Sequence, residues 1–166
     1  MIPAALFAML AINRLGAIHA VVFGGFSPPS LAQRMEASRP RVIMTASCGI
    51  EGTKGPIAYQ GLIRTAVSKS AFKPEKIIIW QRDQQRWEPV LKESGERNWK
   101  RLVKSAKNRG LKADAVPVKS NEGIYIIYTS GGFDLPLLLR YGSLICCVKG
   151  RLDCQREFCE KLGATR

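Results

Sequence analysis

Four short apolar runs set the frame of this chain: AIHAVVF at 17–23, RVIMTA at 41–46, KIIIW at 76–80 and GIYIIY at 123–128. Each is too short for a buried helix, and together they are rich in β-branched and aromatic residues, so each reads as a strand. The chain between them keeps helical spacing. Pro3 suits a first helical turn, Leu6, Met9, Leu10 and Asn13 share a face, and Gly16 supplies a stop. Ser27 before Pro28-Pro29 reads as a cap, Leu31 and Met35 line the next helix, and Arg39-Pro40 ends it. A third helix turns Leu62, Ile63, Ala66 and Val67 inward, and a fourth runs from Asn98 to Arg109 with Trp99, Leu102, Val103 and Ala106 inward. Strands alternating with helices at this spacing predict a layered α/β domain with a mainly parallel sheet. Residues 81–97 are polar and mixed in charge, and read as a surface excursion.

At 166 residues, the chain is long enough for one domain with a real core. Its most apolar stretch, Met1 to Phe26, is neither a signal peptide nor a membrane span. The first cation, Arg14, falls inside what would be the apolar segment, and Asn13, Arg14 and His19 would be costly in lipid. A buried helix leading into a buried strand is the reading that fits, and no membrane partner is expected. A chain beginning directly in a core helix also reads as lacking an upstream piece.

Lysine and arginine number 26 against 13 acids, a net charge of +13. The densest basic segment is Lys100, Arg101, Lys104, Lys107 and Arg109, on the fourth helix. No aromatic residue interleaves those charges along the chain. They therefore read as a solvated face, and a nucleic-acid partner is disfavoured. Five cysteines, four of them at Cys146, Cys147, Cys154 and Cys159, lack the pairing of a disulfide scaffold and the CxxC spacing of a zinc site. A reduced, intracellular setting is the reading that fits.

Ligands of parallel α/β sheets sit at the carboxyl ends of strands. Three segments there merit attention: Phe23 to Ser27, the glycine-rich loop Gly49 to Pro56, and the chain from Thr129 onward. Thr129-Ser130-Gly131-Gly132 offers hydroxyls and close backbone approach to a phosphate, but it matches neither GxxxxGK[ST] nor GxGxxG, and an ordinary turn reads equally well. Gly24-Gly25 is either a tight turn or a close backbone approach to a ligand. His19, the lone histidine, lies in an apolar run and reads as a satisfied core imidazole.

The order of the pieces says more than any one of them. The stretch from Met1 to Ala46, above all RLGAIHAVVFGGFS, followed by GIEGTKGPIAY, KIIIW and IYIIYTSG, closely resembles the acetyl- and propionyl-CoA synthetase branch of the adenylate-forming enzymes. The phrase TASCGIEG looks more like the propionyl-CoA synthetase subgroup. The resemblance covers residues 1–131 and implies part of the large N-terminal, AMP-binding domain. It implies a reaction in which a short carboxylate is activated with Mg-ATP to an acyl-adenylate, after which coenzyme A displaces AMP. By resemblance, Gly24 and Gly25 lie near the pantetheine path, and Glu51, Gly52, Thr53 and Lys54 match the coenzyme A nucleotide site. Lys54 stands where the family usually has an arginine, a point charge in place of a planar fork. Thr129, Ser130 and Gly131 match the opening of the ATP phosphate loop, TSG[ST]TGxPKG. No catalytic residue and no protein-held metal site is implied within this chain.

Beyond Gly131 the likeness stops: residues 132–166 have no counterpart of the loop's lysine or of anything later in the family. They read as a divergent tail of the kind a frameshift, retained intron or mispredicted gene end produces, not selected to complete the sheet, with Leu135, Leu137, Leu138 and Leu139 left as an apolar patch. The chain then reads as an incomplete synthetase, inactive alone; the alternative is a basic interaction module without catalysis. The two are separated by the genomic DNA after the Gly131 codon, which is expected to encode TTG-x-PKG in another frame; its absence there favours the module.

Overall fold

The computed structural model describes residues 2–50 and 55–128, and the backbone of 144–149. The elements follow in order: α1 (Pro3–Arg14), β1 (Ile18–Phe23), α2 (Pro28–Ser38), β2 (Val42–Ala46), β3 (Cys48–Ile50), β4 (Pro56–Ala58), α3 (Tyr59–Lys69), β5 (Lys76–Trp80), β6 (Glu96–Asn98), α4 (Trp99–Asn108), β7 (Tyr125–Ile126) and β8 (Leu144–Lys149). Six strands form one sheet in the order β6-β5-β2-β8-β1-β7, and β3 with β4 forms a separate antiparallel hairpin. The α/β expectation holds. Pairs β1–β7, β2–β5 and β5–β6 are parallel, as predicted, and the two ladders that β8 makes are antiparallel.

Helices cover both faces. On one side Ala20, Val22, Ile43 and Ile79 of the sheet meet Leu31 and Met35 of α2 and Ile63 and Ala66 of α3. On the other, Val42 and Ile78 pack with Ile12 of α1, and Trp99 and Leu102 of α4 close over them.

Several expectations are corrected by the packing. The buried face of α1 is Ala4, Ala5, Ala8 and Ile12, while Leu6 and Leu10 are more than half exposed, because alanine lets the helix axis approach the sheet more closely than leucine does. Ser27 sits at the N-cap of α2 but its side chain makes no capping bond; proline at N1 and N2 removes N–H groups it would serve. The run at 123–128 is not a buried strand: β7 is two residues at the sheet edge, and Ile124, Tyr125 and Ile127 are exposed. The two ends of the loop expected over 49–56 are strand: Gly49 stands opposite Ile57 and Ile50 opposite Pro56, and residues 51–54 lie outside the described residues. Residues beyond 131 do contribute to the sheet: LICCVK of β8 is an apolar, strand-forming run that hydrogen-bonds to both β1 and β2. The tail leucines 135 and 137–139 lie outside the described residues.

The excursion at 81–95 departs furthest from its surface reading. It folds back so that Trp87 is fully buried. Its anchor is Glu96, 1% exposed, at the start of β6. The carboxylate accepts Arg64 Nε at 2.8 Å and Nη2 at 2.9 Å from α3, Trp87 Nε1 at 3.0 Å and the Leu91 N–H at 2.8 Å. Gly95 before it has φ +77°, and a Cβ there would strike the Glu75 carbonyl, so the entry to β6 requires glycine.

Burial alone would raise the Glu96 carboxyl; hydrogen bonds from Arg64, Leu91 and Trp87, with the Arg64 charge, hold it below its usual value of 4.5. The folded state therefore binds this proton more weakly than the unfolded chain, so the group's contribution is complete above that usual value. It is lost as pH falls through the depressed one. Arg64→Met, which strands a buried carboxylate, is expected to destabilise the chain by about 3 kcal/mol in urea unfolding at neutral pH. Glu96→Gln is expected to cost less and to flatten the decline of the urea midpoint on acidification; an unchanged acid limb would remove Glu96 from that role.

Candidate functional site

The carboxyl end of β1 runs into a tight turn in which the Phe26 N–H donates to the Phe23 carbonyl at 3.3 Å. Gly24 is buried and Gly25 exposed within it. Neither has a positive φ among the glycines that do. Packing favours glycine here instead: a Cβ would lie 2.8 Å from Phe23 Cζ and closer still to Cε1, so the exposed Phe23 ring would have to move. The Phe23 ring rests there, 5.8 Å from the Phe26 ring and edge-on to it.

From this turn the chain enters α2, which carries Arg34. Its guanidinium carbon lies 4.0 Å from the centre of the Phe26 ring and 5.4 Å from that of Tyr128. Arg34 Nη1 donates to the Ser30 carbonyl at 2.9 Å, Nε is buried with no partner among the described residues, and the Tyr128 hydroxyl donates to the Arg34 carbonyl at 3.3 Å. One cation thus gathers the Gly24–Gly25 turn, through Phe26, and the residue immediately before Thr129. Cation–π contacts of this kind contribute about 0.5–2 kcal/mol each, more as water is excluded.

The structure places two of the nine sequence-predicted residues, Gly24 and Gly25, in this turn. Glu51, Gly52, Thr53 and Lys54 lie outside the described residues, between the last hairpin pair, Ile50 and Pro56. Thr129, Ser130 and Gly131 lie outside them as well, directly after Tyr128. Phe26, Arg34 and Tyr128 were missed by sequence reasoning. Arg34 reads as one more exposed cation on an amphipathic helix, and no periodicity links positions 26, 34 and 128. His19 is buried as expected but not satisfied: Nδ1 has no partner among the described residues, the Tyr125 ring stands 6.1 Å away, and burial lowers its pKa from 6.5. An imidazole buried in a strand, with no acid against it among the described residues, is a core group rather than a general base. Among the described residues no group of histidines, cysteines and acids could hold a metal, and no helix is long and apolar enough to cross a membrane.

The turn geometry generates a test. Gly25→Ala must push the half-exposed Phe23 ring out of its edge contact with Phe26, and is expected to cost about 1–2 kcal/mol in urea unfolding. In the Phe23→Ala background the same substitution is expected to be nearly neutral, a coupling that a double-mutant cycle reads directly. Additive costs would place the demand for glycine elsewhere.

A family model described as AMP-binding enzyme matches residues 1–132. The chain is 39% identical over 138 residues to the mitochondrial acyl-CoA synthetase short-chain family member 3 of Rattus norvegicus, covering 82% of this chain and 19% of that protein. It is 41% identical over 140 residues to the mitochondrial acyl-CoA synthetase short-chain family member B of Dictyostelium discoideum, again 82% of this chain and 20% of the relative. The acetyl-coenzyme A synthetase of Leptospira biflexa is 35% identical over 136 residues, covering 82% of this chain and 20% of its own. The chain thus spans about a fifth of the length of these relatives. With the family model matching residues 1–132 and relatives at 35–41% identity over most of the chain, the chain belongs to the AMP-binding enzyme family, among the acyl-CoA synthetases.

Proposed function

We propose that this chain carries the opening part of a short-chain acyl-CoA synthetase, a ligase that joins propionate or acetate to coenzyme A with conversion of ATP to AMP and pyrophosphate. Residues 1–131 form the partial AMP-binding domain in this reading, and residues 132–166 a divergent segment. The observation that carries it is the match of residues 1–132 to the AMP-binding family, with acyl-CoA synthetases as relatives. An intracellular location, cytosolic or mitochondrial, goes with it.

The described residues fit ligands of this type. Gly25 leaves exposed backbone at the end of β1, and Arg34 holds a positive charge beside it. The space a Cβ would fill at Gly25 is taken by the Phe23 ring, so an extended, phosphate-bearing molecule approaches this turn along the Phe23 ring, with the Arg34 charge nearby. When bound, ATP supplies the adenylyl group, Mg²⁺ neutralises phosphate charge and coenzyme A supplies the thiol. The chain's own contributions are positioning and charge. Gly24 and Gly25 border the pantetheine path, and Glu51, Gly52, Thr53 and Lys54 form the coenzyme A nucleotide contact, with Lys54 as its cation. Thr129, Ser130 and Gly131 donate hydroxyl and backbone hydrogens to the ATP phosphates. Arg34 keeps the turn and Tyr128, at the threshold of that loop, in one arrangement.

Such a set orients ligands but does not complete a catalytic centre. Losing one preorganised donor to a developing charge costs on the order of 100-fold in rate, and residues 132–166 offer no counterpart of the family loop's lysine. Pyrophosphate release with propionate or acetate is therefore expected to stay at the no-enzyme blank. Coenzyme A retention is expected to be weak, reduced by salt and reduced further in Lys54→Ala, as measured by equilibrium dialysis. Turnover above the blank that disappears in Ser130→Ala would show that the chain holds a complete site.

A further inference from the structure

Trp80 ends β5 and Trp99 opens α4, and the two indoles meet in the fold, 5.9 Å between ring centres and tilted 61°. Beside them the surface opens into a cleft of about 430 Å³ lined by Trp80, Trp99, Lys100, Val103, Lys104 and Lys107. Both indoles are half-buried and the three lysines exposed. The lysines recur at i, i+4 and i+7 of α4, a row about 10 Å long. None of them makes an ion pair or side-chain hydrogen bond among the described residues. None of the lining residues belongs to the segments assigned above to ATP or coenzyme A.

Along the chain, the basic residues of α4 stand without interleaved aromatics, which argued against nucleic acid. The fold reverses that premise, because Trp80 arrives from a strand nineteen positions before Trp99 and stands beside the lysine row. Cations in a row beside aromatic faces, at the carboxyl end of a strand, are what binds single-stranded nucleic acid. The lysines take the phosphates and an indole takes a base. A net charge of +13 adds long-range attraction for such a partner.

We propose that the cleft between Trp80 and α4 is a binding site for single-stranded nucleic acid. Lys100, Lys104 and Lys107 neutralise successive phosphates, and the face of one of the two tilted indoles takes a base. The proposal is independent of the synthetase reading, since it uses other residues and needs no turnover.

The test uses the whole chain and a labelled twelve-nucleotide oligouridylate, followed by fluorescence anisotropy and by tryptophan emission. Trp87 is fully buried, so quenching reports Trp80 and Trp99. The expected result is binding with a slope of log K against log salt of about −2, from three phosphate contacts on a single strand. Quenching accompanies it. Replacing Lys100, Lys104 and Lys107 together by Ala is expected to weaken binding about ten-fold or more at 0.1 M salt. Replacing the exposed Lys69, Lys92 and Lys119 by Ala, the same loss of charge away from the cleft, is expected to leave affinity within about three-fold. Circular dichroism checks that both variants fold. Three results overturn the proposal: no binding by the wild-type chain, equal loss in the two triple variants, or inorganic polyphosphate binding as tightly as the oligonucleotide. ATP or coenzyme A displacing the oligonucleotide at equal concentration, with the same lysine dependence, also overturns it, and assigns the cleft to a small nucleotide.

Discussion

A buried carboxylate organises one side of this molecule. Glu96 takes four hydrogen bonds, two from Arg64 on α3 and one each from Trp87 and Leu91 in the excursion. A charge this deep is tolerated only because its oxygens are filled and a counter-charge lies against it. Removing any donor leaves an unmet charge, so the excursion is held down, Trp87 stays in the core and β6 lines up beside β5. Two residues later the Asn98 side chain accepts the Arg101 N–H at 3.2 Å and starts α4. The place of α4 over Trp80, and with it the basic cleft, thus follows from where Glu96 is anchored.

The other half of the sheet is assembled differently. Among the described residues β1 and β2 do not pair with one another; β8 stands between them and bonds to both. The strand that joins the two halves therefore comes from beyond residue 132, where the match to the AMP-binding family ends. A central strand serves this purpose whatever its origin, since open ladder positions on β1 and β2 accept any apolar, proline-free run of suitable length. The turn that follows β1 is then fixed by side chains: Phe23 over Gly25, and Arg34 between Phe26 and Tyr128.

Much of the fold was legible in the sequence where a signal is local and dense. KIIIW and RVIMTA became the parallel pair β2–β5, and Arg39, in the left-handed region at φ 46°, stops α2 before Pro40 as its neighbour suggests. Where sequence reasoning failed, a competing tertiary term won. Leucines were expected inside α1, but alanines allow the closer approach. Residues 81–97 looked like solvated surface because the groups that make Trp87 and Glu96 buriable, Arg64, Gln81 and the Leu91 N–H, are scattered along the chain. The short strand β6 has no apolar run and exists because β5 offers it an edge.

The candidate sites divide along the same line. The sequence by itself determined the membership in a family and the glycine turn after β1, because those are contiguous strings whose order is retained. Tertiary structure alone decided that Arg34 lies between Phe26 and Tyr128, that His19 Nδ1 is buried with no partner among the described residues, and that the α4 lysines stand beside two indoles. The physical reason is range: turn chemistry and helical spacing act over a few residues, whereas cation–π contacts, buried ion pairs and aromatic–lysine clefts join groups that only a folded sheet brings within a few ångströms.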